Sequence, residues 1–428
     1  MKKIQAIRGM NDILPDYSFK WEWLEDEVRT HLKQFGYQNL RTPILESTDL
    51  FVRSIGEVTD IVEKEMYTFL DGLNGESLTL RPEGTASSVR AAIEHNMTYN
   101  GPRRVYYFGP MFRHERPQKG RFRQFHQIGV EAFGFEGPDV DAEHCLMASE
   151  LWKAFGLDSA NIKLEINSLG SLEDRKKYKE SLVLFLQERR HLLDEDSVRR
   201  IDKNPLRILD SKNKATQEAI ASAPKLLDSL SAESLSKYER FKKILSNNGI
   251  NFEENPNLVR GLDYYNDVVY EWKTDRLGSQ GTICAGGRYD GLAEQIGGKR
   301  IPSCGFALGV ERLLDLIEEA GVDIPEESPD VYLVSFGENV ESWTWHVAKE
   351  LRQHQLRVIL HCGGGSIKNQ MKKANSSKAR FAVIIGDAEE QGQSVTLKDM
   401  HGNDSRDTSQ QQTMSLDSAI GRILQIRE

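Results

Sequence analysis

Two stretches dominate the hydrophobic pattern of the chain: VYYFGPMF at 105–112 and QFHQIGVE at 124–131. Aromatic and β-branched residues in short runs bounded by turn signals favour strands. Between the runs, residues 113–123 carry Arg113, Arg116, Lys119, Arg121 and Arg123, with Pro117 and Gly120 to turn the chain. The pattern predicts two long strands joined by a basic loop. Strand side chains alternate between faces, so Phe125, Gln127, Gly129 and Glu131 share one face, with Arg113 nearby at the end of the partner strand. A packed interior does not accept an unpaired carboxylate or guanidinium. Either Glu131 and Arg113 pair and stiffen the hairpin, or this face is the floor of a site for a charged ligand.

Upstream, Leu24, Val28, Leu32 and Phe35 form the apolar stripe of a helix over 17–35, with Asp16 as its cap and Gly36 as its stop. This helix and the extended segment after it suit a dimer-forming element or an ordinary surface helix equally. Short strands at 66–69 and 77–80 lead into Arg81-Pro82-Glu83-Gly84-Thr85 and a helix over 86–94 that Thr85 can cap. Glu83 and Thr85 can hold an ammonium group there, or serve only as capping chemistry. After the hairpin, a helix at 139–155 carries Ala142, Leu146, Ser149 and Trp152 at helical spacing, with Cys145 as core, and a strand covers 161–168. From 171 to 255 the chain turns charged, Leu-rich and helical, an inserted domain whose cations either touch nucleic acid or form solvated faces. A strand returns at 257–274, with Arg260, Gly261, Asp263, Tyr264 and Tyr265 at its start; residues 281–291 follow a turn, and Gly286-Gly287 there suggests backbone pressed against a ligand or a tight bend. An Arg260–Asp263 ion pair holding the turn at Gly261 is the purely structural reading of the first cluster. Residues 301–316 read as a strand running into a helix near Glu311 and Arg312.

Beyond a linker at 326–330 the pattern alternates: strands at 331–336, 357–361, 381–385 and 394–397, helices at 339–354, 367–376 and 414–426. This is a small α/β domain. Lys368, Lys372, Lys373, Lys378 and Arg380 make a modest basic patch, and polar residues 402–412 read as a mobile loop. The chain thus divides into a core at 1–170 and 256–325, a helical insertion at 171–255, and an α/β domain at 326–428.

Composition narrows the chemistry. The net charge of −9 argues against a uniformly basic nucleic-acid coat but leaves room for the local patch at 113–123. Cys145, Cys284, Cys304 and Cys362 form no CxxC pair, which disfavours a disulfide scaffold or thiolate zinc site and suits a reducing cytoplasm. No run reaches 18 apolar residues, so neither a membrane span nor a signal peptide is expected. The glycine patterns match neither a P-loop nor a dinucleotide fingerprint, and no Ser–His–Asp or Cys–His set is evident from spacing. Arg113, Arg260 and Arg312 suit an anion with several phosphate oxygens, and Glu83 and Glu131 suit a cationic partner or a metal. That mixture fits ATP with an amino-group-bearing substrate.

Five segments together resemble the bacterial histidyl-tRNA synthetases of class II, over essentially the whole chain: Arg41-Thr42-Pro43, FRHERPQKGRFRQFHQIGVE at 112–131, LVRGLDYYNDVVYEW at 258–272, CAGGRYDGL at 284–292 and GFALGVERLL at 305–314. The resemblance implies an α+β fold: an antiparallel-sheet catalytic domain with a helical insertion and a C-terminal α/β anticodon-binding domain. It also implies a cytoplasmic homodimer that forms histidyl-adenylate from L-histidine and ATP, with Mg2+, and then charges tRNA(His). In that reading Arg113 and Arg260 act at the α-phosphate, and Phe125 and Arg312 sandwich adenine. Glu83, Thr85 and Gln127 hold the histidine ammonium, Glu131 and Tyr264 read the imidazole, and Tyr289 lines the pocket. A catalytically silent histidine-sensing relative tends to lack the C-terminal domain and active-site residues present here. A nucleic-acid-binding module would leave Glu83, Gln127 and Glu131 unexplained.

Overall fold

The central hairpin forms with the expected bounds. Arg103–Phe112 and Gln124–Phe133 pair antiparallel from Arg103 opposite Phe133 to Phe112 opposite Gln124. The computed structural model describes residues 3–56, 59–158, 160–211, 213–278, 281–326, 328–401 and 411–427. They fall into two compact units, Met1–Ile324 and Pro325–Glu428.

The strands of the first unit, in chain order, are Gln38–Asn39 (β1), Leu45–Ser47 (β2), Tyr67–Leu70 (β3), Ser77–Leu80 (β4), Arg103–Phe112 (β5), Gln124–Phe133 (β6), Lys163–Ser168 (β7), Phe252–Glu254 (β8), Asn266–Lys273 (β9), Thr282–Arg288 (β10) and Ser303–Gly309 (β11). Eight of them make one sheet in the order β1-β5-β6-β11-β10-β9-β7-β8, and β2-β4-β3 make a second. The large sheet is antiparallel through its middle, with β1 and β8 added parallel at its two edges.

Alternate residues of these strands divide between two clusters. Tyr106, Val130, Tyr270 and Phe306 pack with Leu24, Val28 and Leu32 of helix Pro15–Gln34, with Trp152 of helix Asp139–Ala154, and with Leu313 and Ile317 of helix Val310–Glu319. Val105, Phe133 and Val269 pack with Tyr178, Leu182 and Leu186 of helix Leu172–Glu188. Each such side chain contributes about 1.5–3 kcal/mol through burial. Cys145 is fully buried, as its place beside an apolar stripe implied. Helix Ala232–Asn247, within the insertion, sends Tyr238, Phe241 and Leu245 into the first cluster, and the next strand, β8, joins the main sheet.

Several local expectations are corrected. Helix Pro15–Gln34 opens with Pro15 in its first turn, and no side chain caps it; Asp16 already lies inside the helix. Thr85 is the first residue of helix Thr85–Glu94 rather than its cap. The strand expected from 257 starts only at Asn266, because Leu258, Val259, Tyr264 and Tyr265 bury into the second cluster without pairing in a sheet.

The second unit has strands Val331–Ser335 (β12), Val358–Leu360 (β13), Phe381–Ile385 (β14), Ser394–Asp399 (β15) and Gln411–Ser415 (β16) in the order β13-β12-β14-β15-β16. The first three run parallel and the last two antiparallel. Helices Glu341–Gln353 and Leu416–Arg427 share its main core, where Val347, Leu351, Ala419 and Ile423 are buried. Helix Asp387–Gln391 and strand β16 were not expected. β16 reads QQTMS, too polar to signal a strand, and it forms by edge pairing to β15, including a Thr396–Thr413 hydroxyl bond of 2.7 Å. Of the expected loop at 402–412, residues 402–410 lie outside the described residues.

Candidate active site

The sheet of the first unit floors a cleft of about 210 Å³. Glu83, Thr85, Arg113, Phe125, Gln127, Arg260, Tyr264 and Arg312, all singled out from the sequence, line it. Glu131 and Tyr289 lie just behind the lining, at 0% and 1% exposure.

The closed end is built on β6. Glu131 faces Gly305 of β11, where a Cβ would come within 1.9 Å of Glu131 Oε2. Glycine is therefore required opposite the carboxylate. Thr85 Oγ1 donates to Glu131 Oε1 at 2.8 Å, and the Tyr289 hydroxyl donates to Oε2. Burial pushes the Glu131 carboxyl up to about 8, although both hydroxyl donors act to lower it. The pairing of Glu131 with Arg113, one of the two sequence readings, does not form. Glu83 instead supplies the helix cap: its carboxylate accepts from the backbone N–H of Thr85 at 2.7 Å and of Ala86 at 2.8 Å. Burial raises its pKa against those two bonds. This leaves the Thr85 hydroxyl free to serve Glu131. Gln127 Oε1 is buried with no hydrogen-bond partner among the described residues, a group suited to a ligand donor.

Tyr264 and Tyr289 meet edge-on with centroids 5.6 Å apart, and Tyr265 lies 4.7 Å from Tyr264. Tyr107 packs on the same face of the sheet as Glu131; a Cβ at Gly129 would fall within 2.0 Å of its ring, and one at Gly84 within 2.3 Å.

The open end is cationic. Arg113 donates from Nε to the Pro82 carbonyl at 2.9 Å, and its guanidinium carbon sits 5.2 Å from the Phe125 ring centroid. Arg312 donates to the carbonyls of Gly120 and Thr282, each at 3.0 Å. Burial lowers its pKa, and so does its proximity to Arg121 and Arg113. An anion placed beside Arg312, against which Arg121 and Arg113 push, would be stabilised. Glu115, paired with Arg121 at 2.8 Å, and Glu311, which accepts from the His126 backbone N–H at 3.0 Å, also line the cleft.

Arg260 ion-pairs with Glu271 of β9, not with Asp263. Asp263 is taken by Asn204 of the insertion, whose Nδ2 lies 2.8 Å and 3.0 Å from its two carboxylate oxygens. Arg207 donates to the Gly261 carbonyl at 3.1 Å, and Arg175 donates to the Tyr265 carbonyl at 2.5 Å. The insertion thus braces the segment bearing Arg260 and Tyr264. Sequence reasoning missed Glu271, Asn204, Tyr107 and the clamp from Arg175 and Arg207. These residues stand far from the motifs or look like ordinary strand and helix polar positions, and only folding brings them in.

In the second unit, Lys368, Lys372 and Lys373 are exposed on helix Ile367–Ser376. Lys378 pairs with Glu326 and Arg380 with Asp399, which narrows the expected basic patch to that helix.

Comparison with known proteins extends this geometry. Residues 9–313 match the family model for histidyl-tRNA synthetase, and residues 330–426 match the one for an anticodon binding domain. The histidine–tRNA ligase of Nitrosomonas europaea is 60% identical over 92% of this chain and 94% of its own. That of Thiobacillus denitrificans is 56% identical over 98% of both chains. The apo crystal structure of Staphylococcus aureus histidyl-tRNA synthetase superposes with a TM-score of 0.82 at 37% identity, covering 98% of this chain and 100% of that one.

Proposed function

This chain belongs to the histidyl-tRNA synthetase family, and from that premise we propose a role for each side chain of the cleft. It is an ATP-dependent histidine–tRNA ligase: L-histidine and ATP give histidyl-adenylate and pyrophosphate, and histidine then passes to the 3′ end of tRNA(His).

The observation that carries the assignment is one cleft with a buried carboxyl group at its closed end and four arginines, Arg113, Arg121, Arg260 and Arg312, along the rest of its lining. An imidazole presents a nitrogen on each side, so Glu131 reads one and Tyr264 the other, with Tyr289 holding Glu131 in place. Glu83, Thr85 and Gln127 take the ammonium. The histidine carboxylate then attacks the α-phosphorus of ATP as pyrophosphate leaves. Arg113 and Arg260 hold the α-phosphate from two sides as charge builds there. Phe125 and Arg312 sandwich the adenine.

Among the described residues no group of three or more His, Cys, Asp or Glu could hold a metal ion. Mg2+ fits this site as an ion carried by the triphosphate; the carboxylates lining the cleft, Glu115 and Glu311, are held by Arg121 and His126 and would reach it only on leaving those partners. Bound so, it would neutralise phosphate charge.

Residues 1–170 and 256–325 form the catalytic core in this reading, 171–255 the insertion that braces it, and 326–428 the anticodon reader. The protein acts as a homodimer; the exposed Ile44, Leu45, Phe69 and Leu70 on and beside the small β2-β4-β3 sheet support a self-association surface. Four free cysteines suit the cytoplasm, and no helix among the described residues is long and apolar enough to cross a membrane. Histidine-dependent ATP–pyrophosphate exchange, measured for variants of Glu131, Gln127 and Arg260, tests the residue roles. Wild-type exchange by all three would overturn them.

A further inference from the structure

Glu165 on β7 and Glu271 on β9 stand directly opposite each other in the sheet register. Like charges so placed destabilise a strand pair unless they are compensated. Two cations compensate them here. Lys273 Nζ lies 2.8 Å from Glu165 Oε2 and 3.3 Å from Glu271 Oε2. The Arg260 guanidinium takes the other oxygen, Glu271 Oε1. Thr282 Oγ1, on β10, donates to Glu271 Oε2 at 3.2 Å. Glu271 is therefore fixed by three donors from three segments, and both members of the Arg260–Glu271 pair have only 13% side-chain exposure. The Tyr265 ring lies 5.5 Å from the guanidinium carbon. Arg260 itself sits in a loop rather than a strand, and its Nε is buried with no hydrogen-bond partner among the described residues. One edge of its fork is thus held by protein while Nε stays unengaged.

We propose that Glu271 is a positioning residue for adenylate formation. Anchored by Thr282 and Lys273, it holds the Arg260 fork in the orientation that meets the α-phosphate. The proposal rests on the assignment of Arg260 to the α-phosphate. Glu271 acts only through Arg260 and touches no substrate. Removing its charge lets a loop-borne guanidinium drift, and a misplacement of about 1 Å can cost about 10²-fold in rate.

The test is a double-mutant cycle of Glu271→Gln and Arg260→Lys, read by histidine-dependent ATP–pyrophosphate exchange in the full-length protein, with melting followed by circular dichroism. Glu271→Gln should lower kcat by roughly 10–100-fold and leave KM for histidine and ATP within about 2-fold. In the Arg260→Lys background the same change should cost less than about 2-fold further. Glu271→Asp, which keeps the charge but withdraws it by one methylene, should fall between wild type and Glu271→Gln. This variant serves if Glu271→Gln folds poorly. Full kcat in folded Glu271→Gln, or losses that multiply across the two sites, would overturn the positioning role while leaving Arg260 catalytic. Full activity in Arg260→Lys would remove the premise, and the proposal with it.

Discussion

Tyr289 donates its hydroxyl proton to Glu131 in a chamber where neither residue meets solvent. Thr85 holds the second carboxylate oxygen at 2.8 Å. The carboxyl group is oriented before any substrate arrives, so removing it leaves both the substrate N–H and the two hydroxyls without their acceptor. Glu131→Ala should lower kcat/KM for histidine in pyrophosphate exchange by about 10²-fold or more. An unchanged value would sink the assignment of Glu131 to the imidazole.

The same burial sets a pH dependence. The Glu131 carboxyl titrates at about 8 in the folded protein against an ordinary 4.5. Between those values the native state keeps a proton that the unfolded chain has lost. This contribution to stability is therefore full below about 4.5 and declines as pH rises through about 8. The difference in Tm between wild type and Glu131→Gln, scanned from pH 5 to pH 9, should move against wild type as pH rises. A difference that stays flat across that range contradicts a protonated Glu131 in the free enzyme.

Gly305 makes room for this arrangement. Gly305→Ala would set a methyl within 1.9 Å of Glu131 Oε2 and 2.5 Å of the Val130 carbonyl oxygen. One of them must move, and the expected result is a loss in kcat/KM for histidine of about 10²-fold, with ATP KM little changed. Circular dichroism separates this from global unfolding. A folded variant with wild-type histidine kinetics would show that Glu131 need not stay where it is.

Arg260→Lys keeps a charge but not the planar fork. Adenylate formation should slow by roughly 10–10³-fold, with kcat affected more than KM. Transfer from preformed histidyl-adenylate to tRNA should suffer less, because the α-phosphorus is no longer under attack. Rapid-quench measurement of both steps decides this; equal losses in the two would favour a positioning or folding role instead.

The unit Pro325–Glu428 has its own core. Removing it should leave most of the adenylate formation while cutting tRNA charging much more deeply. A folded truncation that charges tRNA at the full rate would assign this unit another task.

The central hairpin, the face shared by Gln127 and Glu131, and the alternating α/β pattern after 330 were all legible in the sequence. Each follows from a local period or turn signal over a few consecutive residues. The motif-bearing segments at 112–131, 258–272, 284–292 and 305–314 likewise carried the family on their face. What each charged side chain does with its neighbours was not legible. Glu131 could have paired with Arg113, and Arg260 with Asp263. Folding instead set Glu131 against Thr85 and Tyr289, and Arg260 against Glu271, residues from 11 to 158 positions away in the chain. Local sequence cannot rank such partners, because the choice depends on which strands lie adjacent and in what register. The order β6-β11-β10-β9-β7 supplies the first and the residue pairing along it the second. The same holds for Asn204, Arg207 and Arg175, which look like ordinary helix-surface polar residues until the insertion docks them on the segment that carries Arg260.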